Sequence, residues 1–228
     1  MRKGDNKRHE ILCTAEKLFC TKGYEATSVQ DILDVLHASK GGFYHHFASK
    51  EEVLKILCQQ RAEQAAMRTK ERLASANDSM ERINTVLYGF MPLRKEEIQF
   101  LAMLLPVMTQ PEGRAMAMLY QDAMLSVYQP ILKDVLLTAS AEDIIYPVVR
   151  SMEGPILHMI NRCWLDAMEQ VLLCAREGKR LDASVLLGIL ERYRRSIEVL
   201  LDAPYGSIDI VRIDEWDEVS AKLLQTMA

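Results

Sequence analysis

The sequence predicts an all-α protein in which a small N-terminal helix-turn-helix head precedes a larger helical body. Apolar residues recur at helical intervals along most of the chain, and the alternation typical of strands is absent over any useful length. The composition, with 49% hydrophobic and 26% charged residues in a chain of 228, is that of a globular protein long enough to bury a sizeable core.

The first predicted helix covers about residues 6–22. Its apolar residues share one face and stop just before Gly23, a residue suited to the positive φ that often ends a helix. The stripe consists of Ile11, Leu12, Ala15, Leu18 and Phe19.

Two short helices follow. We expect Thr27 and Gln30 to form a capping box at the start of a helix over about 28–35. After the connector His37-Ala38, Ser39 is placed to cap a third helix that ends near His45, with Phe43 pointing inward. Two short helices joined by so few residues are a helix-turn-helix in outline.

A long fourth helix links the head to the body. Ser49 and Glu52 form the predicted capping box that opens it, and it runs to about Ser75. We therefore divide the chain into a head over 1–55 and a body over 76–228, connected by this helix. Body helices are predicted over about 78–90, 95–105, 112–138, 142–176 with a break at Gly154-Pro155, 183–202 and 214–226.

Charge is distributed unevenly along the chain. Residues 1–55 hold nine Lys or Arg and eight Asp or Glu, a net charge of +1, which leaves −5 for the rest of a chain whose total is −4. This asymmetry permits a head that faces phosphate. The five cysteines include no CxxC pair, and no apolar run of about 18 residues is present, so we expect a cytoplasmic protein outside the membrane.

The segment 39–52, SKGGFYHHFASKEE, concentrates chemistry suited to a DNA groove. A helix entering the major groove presents its N-terminal side chains and backbone to base edges, while flanking donors hold phosphates. Gly41 and Gly42 permit close backbone approach, and Lys50 lies at a helix N-terminus, where the dipole favours an anion.

The stretches AEKLFCTKGYEATSVQDIL and SKGGFYHHFASKEEVL resemble the head of the TetR family of bacterial regulators, from its first helix to its fourth. The resemblance implies a two-fold dimer on a pseudo-palindromic DNA operator, with repression relieved by a small-molecule effector. Departures from the family pattern occur at His37, where glycine is usual, and at Gly42, where a hydroxyl or amide side chain is common.

The same resemblance implies roles for individual residues of the head. Ser28 would touch phosphate, and Lys40, Gly41 and Tyr44 would meet bases or backbone in the groove. His45, His46 and Lys50 would hold phosphates. We include Gly42 with this set because small residues at 41 and 42 let the backbone sit close to the groove.

Plainer interpretations of these residues stay open. Tyr44 can cap the small core of the head, and Lys50 can be a solvated surface charge. His45 and His46 can form a metal pair, but adjacent residues point to different sides of a helix and no third ligand follows at helical spacing. We predict neither a metal nor a cofactor.

The sequence of the body predicts an apolar effector site and a dimer interface. Methionine adapts to ligands of varied shape, and tyrosine or tryptophan adds a polar tip, so a mainly apolar effector is expected against Met103, Met116, Tyr120, Met124, Tyr128 and Trp164. The last long helices carry a wide apolar stripe. Its predicted dimer contacts are Leu186, Leu190, Tyr193 and Ile197, although these side chains can instead bury against their own chain.

Other functional classes fit less well. The sequence has no HExxH, GxSxG, GxxxxGK or GxGxxG motif, so we predict no enzyme. A helical scaffold or partner-binding protein explains the body but leaves the chemistry of 39–52 without a use. Binding to duplex DNA separates that alternative from a regulator.

Overall fold

The computed structural model describes residues 3–91, 111–146, 151–177, 179 and 182–210, and these are all-helical, as predicted. The head and linker comprise α1 (Lys3–Lys22), α2 (Val29–Leu36), α3 (Lys40–Tyr44) and α4 (Lys50–Leu73). The body continues with α5 (Ser79–Phe90), α6 (Pro111–Ala141), α7 (Glu153–Arg176) and α8 (Ala183–Leu201).

The predicted helix boundaries hold for the head and for most of the body. The expectation of a helix starting at 142 is wrong, because turns and bends follow α6 and α7 begins at Glu153. Gly154 and Pro155 therefore lie in the first turn of α7. Backbone N–H groups in a first turn have no acceptor within the helix, so a proline there removes no hydrogen bond. The helices expected over 95–105 and 214–226 lie outside the described residues.

The cap of α2 also differs from the prediction. Ser28, not Thr27, is the N-cap, and its box partner is Asp31 instead of Gln30. The Thr27 side chain is buried and donates to the Gly23 carbonyl at 2.6 Å. Thr27 thus closes the turn between α1 and α2, one residue before the cap.

The chain packs as two compact units. Among the described residues, one unit comprises 3–61 and 111–120, and the other comprises 62–91 and everything from 121 onward. α4 and α6 are each continuous and contribute to both units. The predicted boundary at 76 follows the end of α4 and stays a prediction.

Each unit has its own apolar core. The head is built on aromatic rings, with Phe19 against Tyr24 at 5.0 Å and Phe43 against Phe47 at 5.8 Å between ring centroids. In the body, α7 and α8 pack along one another, and α5 also contacts α7. Across the described ranges, each helix is either too short or too polar to cross a lipid bilayer.

Candidate nucleic-acid interface

The turn between α2 and α3 is held by the backbone. His37 adopts the left-handed conformation, with φ of 47°, at the C-cap of α2. Ala38 N–H donates to the Leu33 carbonyl at 3.0 Å, which closes the end of the helix. The sequence has His at the position where this conformation favours glycine, and histidine is among the residues that tolerate it best.

α3 is fixed from behind and exposed in front. Ser39 Oγ accepts from the Gly42 N–H at 3.2 Å and caps the helix as predicted. Phe43 is fully buried, at 0% exposure, whereas Tyr44 is 56% exposed. Lys40 and Gly41 also lie on the exposed side. Anchoring Phe43 in the core therefore turns Lys40, Gly41 and Tyr44 outward, and the structure does not support a core-capping role for Tyr44.

Ser28 is committed to its helix cap. Its hydroxyl donates to Asp31 Oδ2 at 2.7 Å, its backbone N–H donates to the same oxygen at 2.7 Å, and its Oγ accepts from Asp31 N–H. Lys22 also donates to Asp31 at 2.7 Å. The hydrogen bonds from Lys22 and then Ser28 hold the pKa of the Asp31 carboxyl well below its usual range. A phosphate contact by the Ser28 hydroxyl would have to displace Asp31.

Lys50 is a structural residue as well as a candidate contact. Its ammonium donates to the Tyr24 carbonyl at 2.9 Å and lies 4.0 Å from the centroid of the Tyr24 ring. An ammonium has three N–H donors, so the Tyr24 carbonyl does not exhaust them at the N-terminus of α4, where an anion is favoured. The reading of Lys50 as a free surface charge is wrong, because it ties α4 to the turn after α1.

The two histidines lie at the end of α3. His45 is exposed and caps the helix, while His46 is half-buried beside Phe47. Their rings stand 4.9 Å apart. Among the described residues, no group of three or more His, Cys, Asp or Glu side chains is arranged to hold a metal ion.

Comparison with known proteins bears on this head directly. Residues 11–56 match the family model of bacterial regulatory proteins of the tetR family, and this segment contains α2, α3 and the start of α4. The head of the chain is therefore similar to the TetR family.

Curated relatives are similar to this chain over part of its length. The transcriptional repressor KstR2 of Mycobacterium tuberculosis is 34% identical over 79 residues, which are 35% of this chain and 40% of that protein. The transcriptional activator FasR of Mycolicibacterium smegmatis is 25% identical over 95 residues, 42% of this chain and 43% of that protein. The chain thus spans less than half the length of these curated relatives.

Solved structures extend the likeness to the whole fold. A putative transcriptional regulator from Saccharomonospora viridis, in complex with choline, superimposes with a TM-score of 0.57 at 21% identity, covering 85% of this chain and 96% of that one. A putative TetR-family regulator from Mesorhizobium loti gives 0.58 at 15% identity, covering 89% and 98%. At these identities the likeness shows the fold.

The predicted effector residues of the body are largely internal. Tyr120, Met124, Tyr128 and Trp164 are all buried. The polar tip of Trp164 donates to Asn161 Oδ1 at 2.9 Å, and the Tyr128 hydroxyl donates to the Gly89 carbonyl at 2.7 Å. Met103 lies outside the described residues, and Met116 lies on α6. Tyr128 is therefore occupied by the protein itself.

The predicted dimer residues also face inward. Leu186, Leu190 and Ile197 are buried within the protomer, so a second chain cannot contact them as surface residues. The hydroxyl of the half-buried Tyr193 donates to Asp166 on α7 at 2.7 Å. This stripe packs α8 against its own chain, which corrects the expectation that these side chains form the interface. An apolar stripe shows which face of a helix is buried but not by what.

The structure also contains a polar cleft that the sequence did not indicate. It has a volume of about 370 Å³, and none of the predicted effector residues lines it. Arg72 lies over the Tyr88 ring at 5.7 Å. The lining residues are Arg72, Asp78, Met80, Glu81, Asn84, Thr85, Tyr88 and Asp209. All of these residues except Asp209 lie within 72–88, and it is the distant Asp209 that a local pattern would not have placed there.

Proposed function

We propose that this protein is a homodimeric transcriptional repressor that binds a pseudo-palindromic DNA operator through α2 and α3 and responds to a small-molecule effector. One observation carries the DNA-binding part: burial of Phe43 turns Lys40, Gly41 and Tyr44 outward together on α3. A polar row held on a rigid core suits the major groove. A repressor of this kind acts in the cytoplasm.

Within this proposal the head residues have separate tasks. Lys40, Gly41, Gly42 and Tyr44 approach the base edges, and Tyr44 offers both an exposed ring and a hydroxyl. His45, His46, Lys50 and the Ser28 region lie toward phosphates on either side. Phosphate contacts fix the register of the protein, and base contacts give sequence discrimination.

We place the dimer contact on the outward faces of α7 and α8. Apolar side chains that stay exposed in the protomer lie on both helices, and they are Leu173, Val185, Leu187 and Val199. Two copies related by a two-fold axis would present two heads to half-sites about 34–36 Å apart or a multiple of that distance.

The effector is proposed to bind in the body and to change head spacing. Met124 and Trp164 are buried side chains of the body that a mainly apolar ligand can reach after local repacking. The regulator from Saccharomonospora viridis was solved with choline, which supports a small-molecule site in this fold. The relatives include both a repressor, KstR2, and an activator, FasR. We propose repression for this chain.

A selection of duplexes from random sequence, followed by titration, tests the proposal. We expect sedimentation to show two chains on one duplex. Tyr44→Ala should weaken discrimination between the selected duplex and a mismatched one about tenfold. Lys50→Ala should weaken binding to all duplexes and make the salt dependence shallower by about one unit.

Two exposed residues provide matched controls. Lys55→Ala removes a charge from the same helix as Lys50, and Tyr205→Ala removes an exposed tyrosine from the body; both should leave binding near wild type. Because Lys50 also bonds Tyr24, the head stability of Lys50→Ala is measured alongside. Failure of the wild-type chain to select any duplex would favour the helical scaffold instead.

A further inference from the structure

The polar cleft of the body lies where one face of α5 meets the segment that follows α8. Glu81, Asn84 and Tyr88 recur at helical spacing on α5 and share that face, and Asp209 completes the lining from the distant segment. All of the lining residues belong to the second compact unit. With a volume of about 370 Å³, the cleft is large enough for a small organic molecule.

The position of Asp209 at the cleft is set by the residues around it. Asn84 Nδ2 donates to the Ser207 carbonyl at 2.8 Å, and the Asp209 N–H donates to Asn84 Oδ1 at 2.9 Å. Ile208 and Ile210 on either side are buried, while Asp209 itself is exposed. Anchoring the two isoleucines therefore leaves the Asp209 carboxylate at the wall of the cleft.

The segment that carries Asp209 is also fixed from α8. Glu198 is fully buried, and its Oε1 accepts from the Gly206 N–H at 2.8 Å and from Arg194 at 3.0 Å. Two separate anchors, Asn84 and Glu198, thus hold the backbone on which the Asp209 carboxylate stands. A charge held in one place on a rigid support is what a binding site requires.

The lining residues carry more negative than positive charge. They include the carboxylates of Asp78, Glu81 and Asp209 and the guanidinium of Arg72. The N-terminus of α5 would by itself favour an anion, but two N–H groups at that end already donate to these acids. Asp78 Oδ1 accepts from the Glu81 N–H at 2.7 Å, and Glu81 Oε2 accepts from the Asn77 N–H at 2.7 Å. The cleft therefore favours a cation over an anion.

An aromatic ring adds a second feature that suits a cation. Tyr88 is buried, and the Arg72 guanidinium lies over its ring at 5.7 Å from the centroid. This ring already receives one cation of the chain, and the same attraction acts on an ammonium group of a ligand. Met80 and Thr85 add methyl groups to the lining. The cleft thus offers carboxylates for ammonium groups and apolar surface for a short carbon chain.

We propose that this cleft binds a small aliphatic amine. Its ammonium groups lie against Asp209 and the acids of α5, and its carbon chain lies against Tyr88 and Met80. A bound diamine bridges carboxylates of α5 and of the segment over 204–210. The site is separate from the buried residues proposed for the effector, and the inference does not rest on DNA binding.

Calorimetric titration of the full chain with three probes of one length tests the chemistry. The five-carbon compounds cadaverine, pentanediol and glutarate carry ammonium, hydroxyl or carboxylate groups at both ends. We expect saturable binding of cadaverine in the millimolar range or tighter, weakened by added salt because exposed charges are screened. Absence of saturable cadaverine binding, or equal binding of pentanediol or glutarate, overturns the proposal.

Two substitutions in the lining should change cadaverine affinity in opposite directions. Asp209→Asn removes a carboxylate but keeps the backbone bond to Asn84, and it should weaken binding about five-fold. Arg72→Gln removes a like charge and uncovers the Tyr88 ring, and it should strengthen binding about three-fold. The reverse order would indicate an anion site and overturn the proposal.

Asp134→Asn is the matched control. Asp134 is exposed on α6 and lies outside the cleft, so its substitution removes the same charge from the body without touching the lining. Cadaverine should bind this variant like wild type. An equal loss in Asp134→Asn and Asp209→Asn would mean that overall charge attracts the diamine, which excludes a specific site.

Hydrogen exchange locates the bound amine. Saturating cadaverine should slow exchange of the Asp209 amide, whose N–H bonds Asn84, because the ligand holds this segment against α5. Saturation with unchanged exchange over 204–210 would place the amine elsewhere and overturn the assignment to the cleft. None of these measurements uses DNA, so their outcome is independent of the test of the proposed function.

Discussion

The helix caps of the head and two polar contacts of the body span different distances along the chain. In the head, Ser28 bonds Asp31 and Ser39 bonds Gly42, each three residues away. In the body, Thr69 bonds Tyr128 across 59 residues, and Asn84 bonds Ser207 across 123. These two caps of the head are therefore specified by local sequence, whereas these two contacts of the body join residues that meet only after folding.

The largest expected effect tests the long-range side of this comparison. Gly89→Ala places a methyl group against Thr69, which is buried and hydrogen-bonded, so we expect the free energy of unfolding to fall by about 2 kcal/mol. Gly188→Ala is the control: it lies within α8 with open space around it and should stabilise by about 0.5–1 kcal/mol. Urea denaturation of both chains measures the difference. Equal effects at the two glycines would mean that α4 and α5 are not closely packed.

Local signals explain what the sequence could predict. Ser39 and Phe43 were placed correctly because a cap and an inward aromatic depend on residues three or four positions away. The observed cap at Ser28 is also a local feature, since its box partner Asp31 follows three residues later. The bond from Lys50 to Tyr24 has no local signal, because the two residues are 26 positions apart.

The body was predicted only in outline for the same reason. The apolar stripe of α8 was visible, but Leu186 and Ile197 proved to be core residues of the protomer, because a stripe does not name its partner. Tyr128 was singled out as an aromatic with a polar tip, yet its bonds to Thr69 and Gly89 cross three helices. No spacing rule contains those pairings.

A smaller effect tests the local side at the cap of α2. Ser28→Ala should lower head stability by about 1 kcal/mol, because the Asp31 N–H loses its acceptor. The pKa of Asp31 is lowered in the folded state, so its stabilisation is present above the ordinary carboxyl value of about 4 and is lost as pH falls through the folded value.

Hydrogen exchange of α2 amides between neutral and acid pH measures this effect. Asp31→Asn should show weaker protection at neutral pH and less further loss on acidification than wild type. Asp34→Asn, on the same helix, is the control for charge alone, since the Asp34 carboxylate accepts from the Gln30 side chain and takes no part in the cap. The same acid loss in Asp31→Asn as in wild type would remove Asp31 from the cap.

The smallest effect compares the two regions through one backbone feature. His37 ends α2 with φ of 47°, and Asp202 ends α8 with φ of 53°, so both hold the left-handed conformation without glycine. Glycine at either position relieves about 1 kcal/mol of backbone strain in the folded state. Its greater conformational freedom in the unfolded chain offsets about half of that gain. We expect His37→Gly and Asp202→Gly each to stabilise by about 0.5 kcal/mol.

Hydrogen exchange resolved by helix shows which region of the molecule is stabilised. If the head is specified locally, His37→Gly should slow exchange in α2 and leave α8 unchanged, and Asp202→Gly should do the reverse. A gain that spreads through both regions from either site would show that head and body open as one cooperative unit, and the contrast between local and long-range specification would then not extend to their stability.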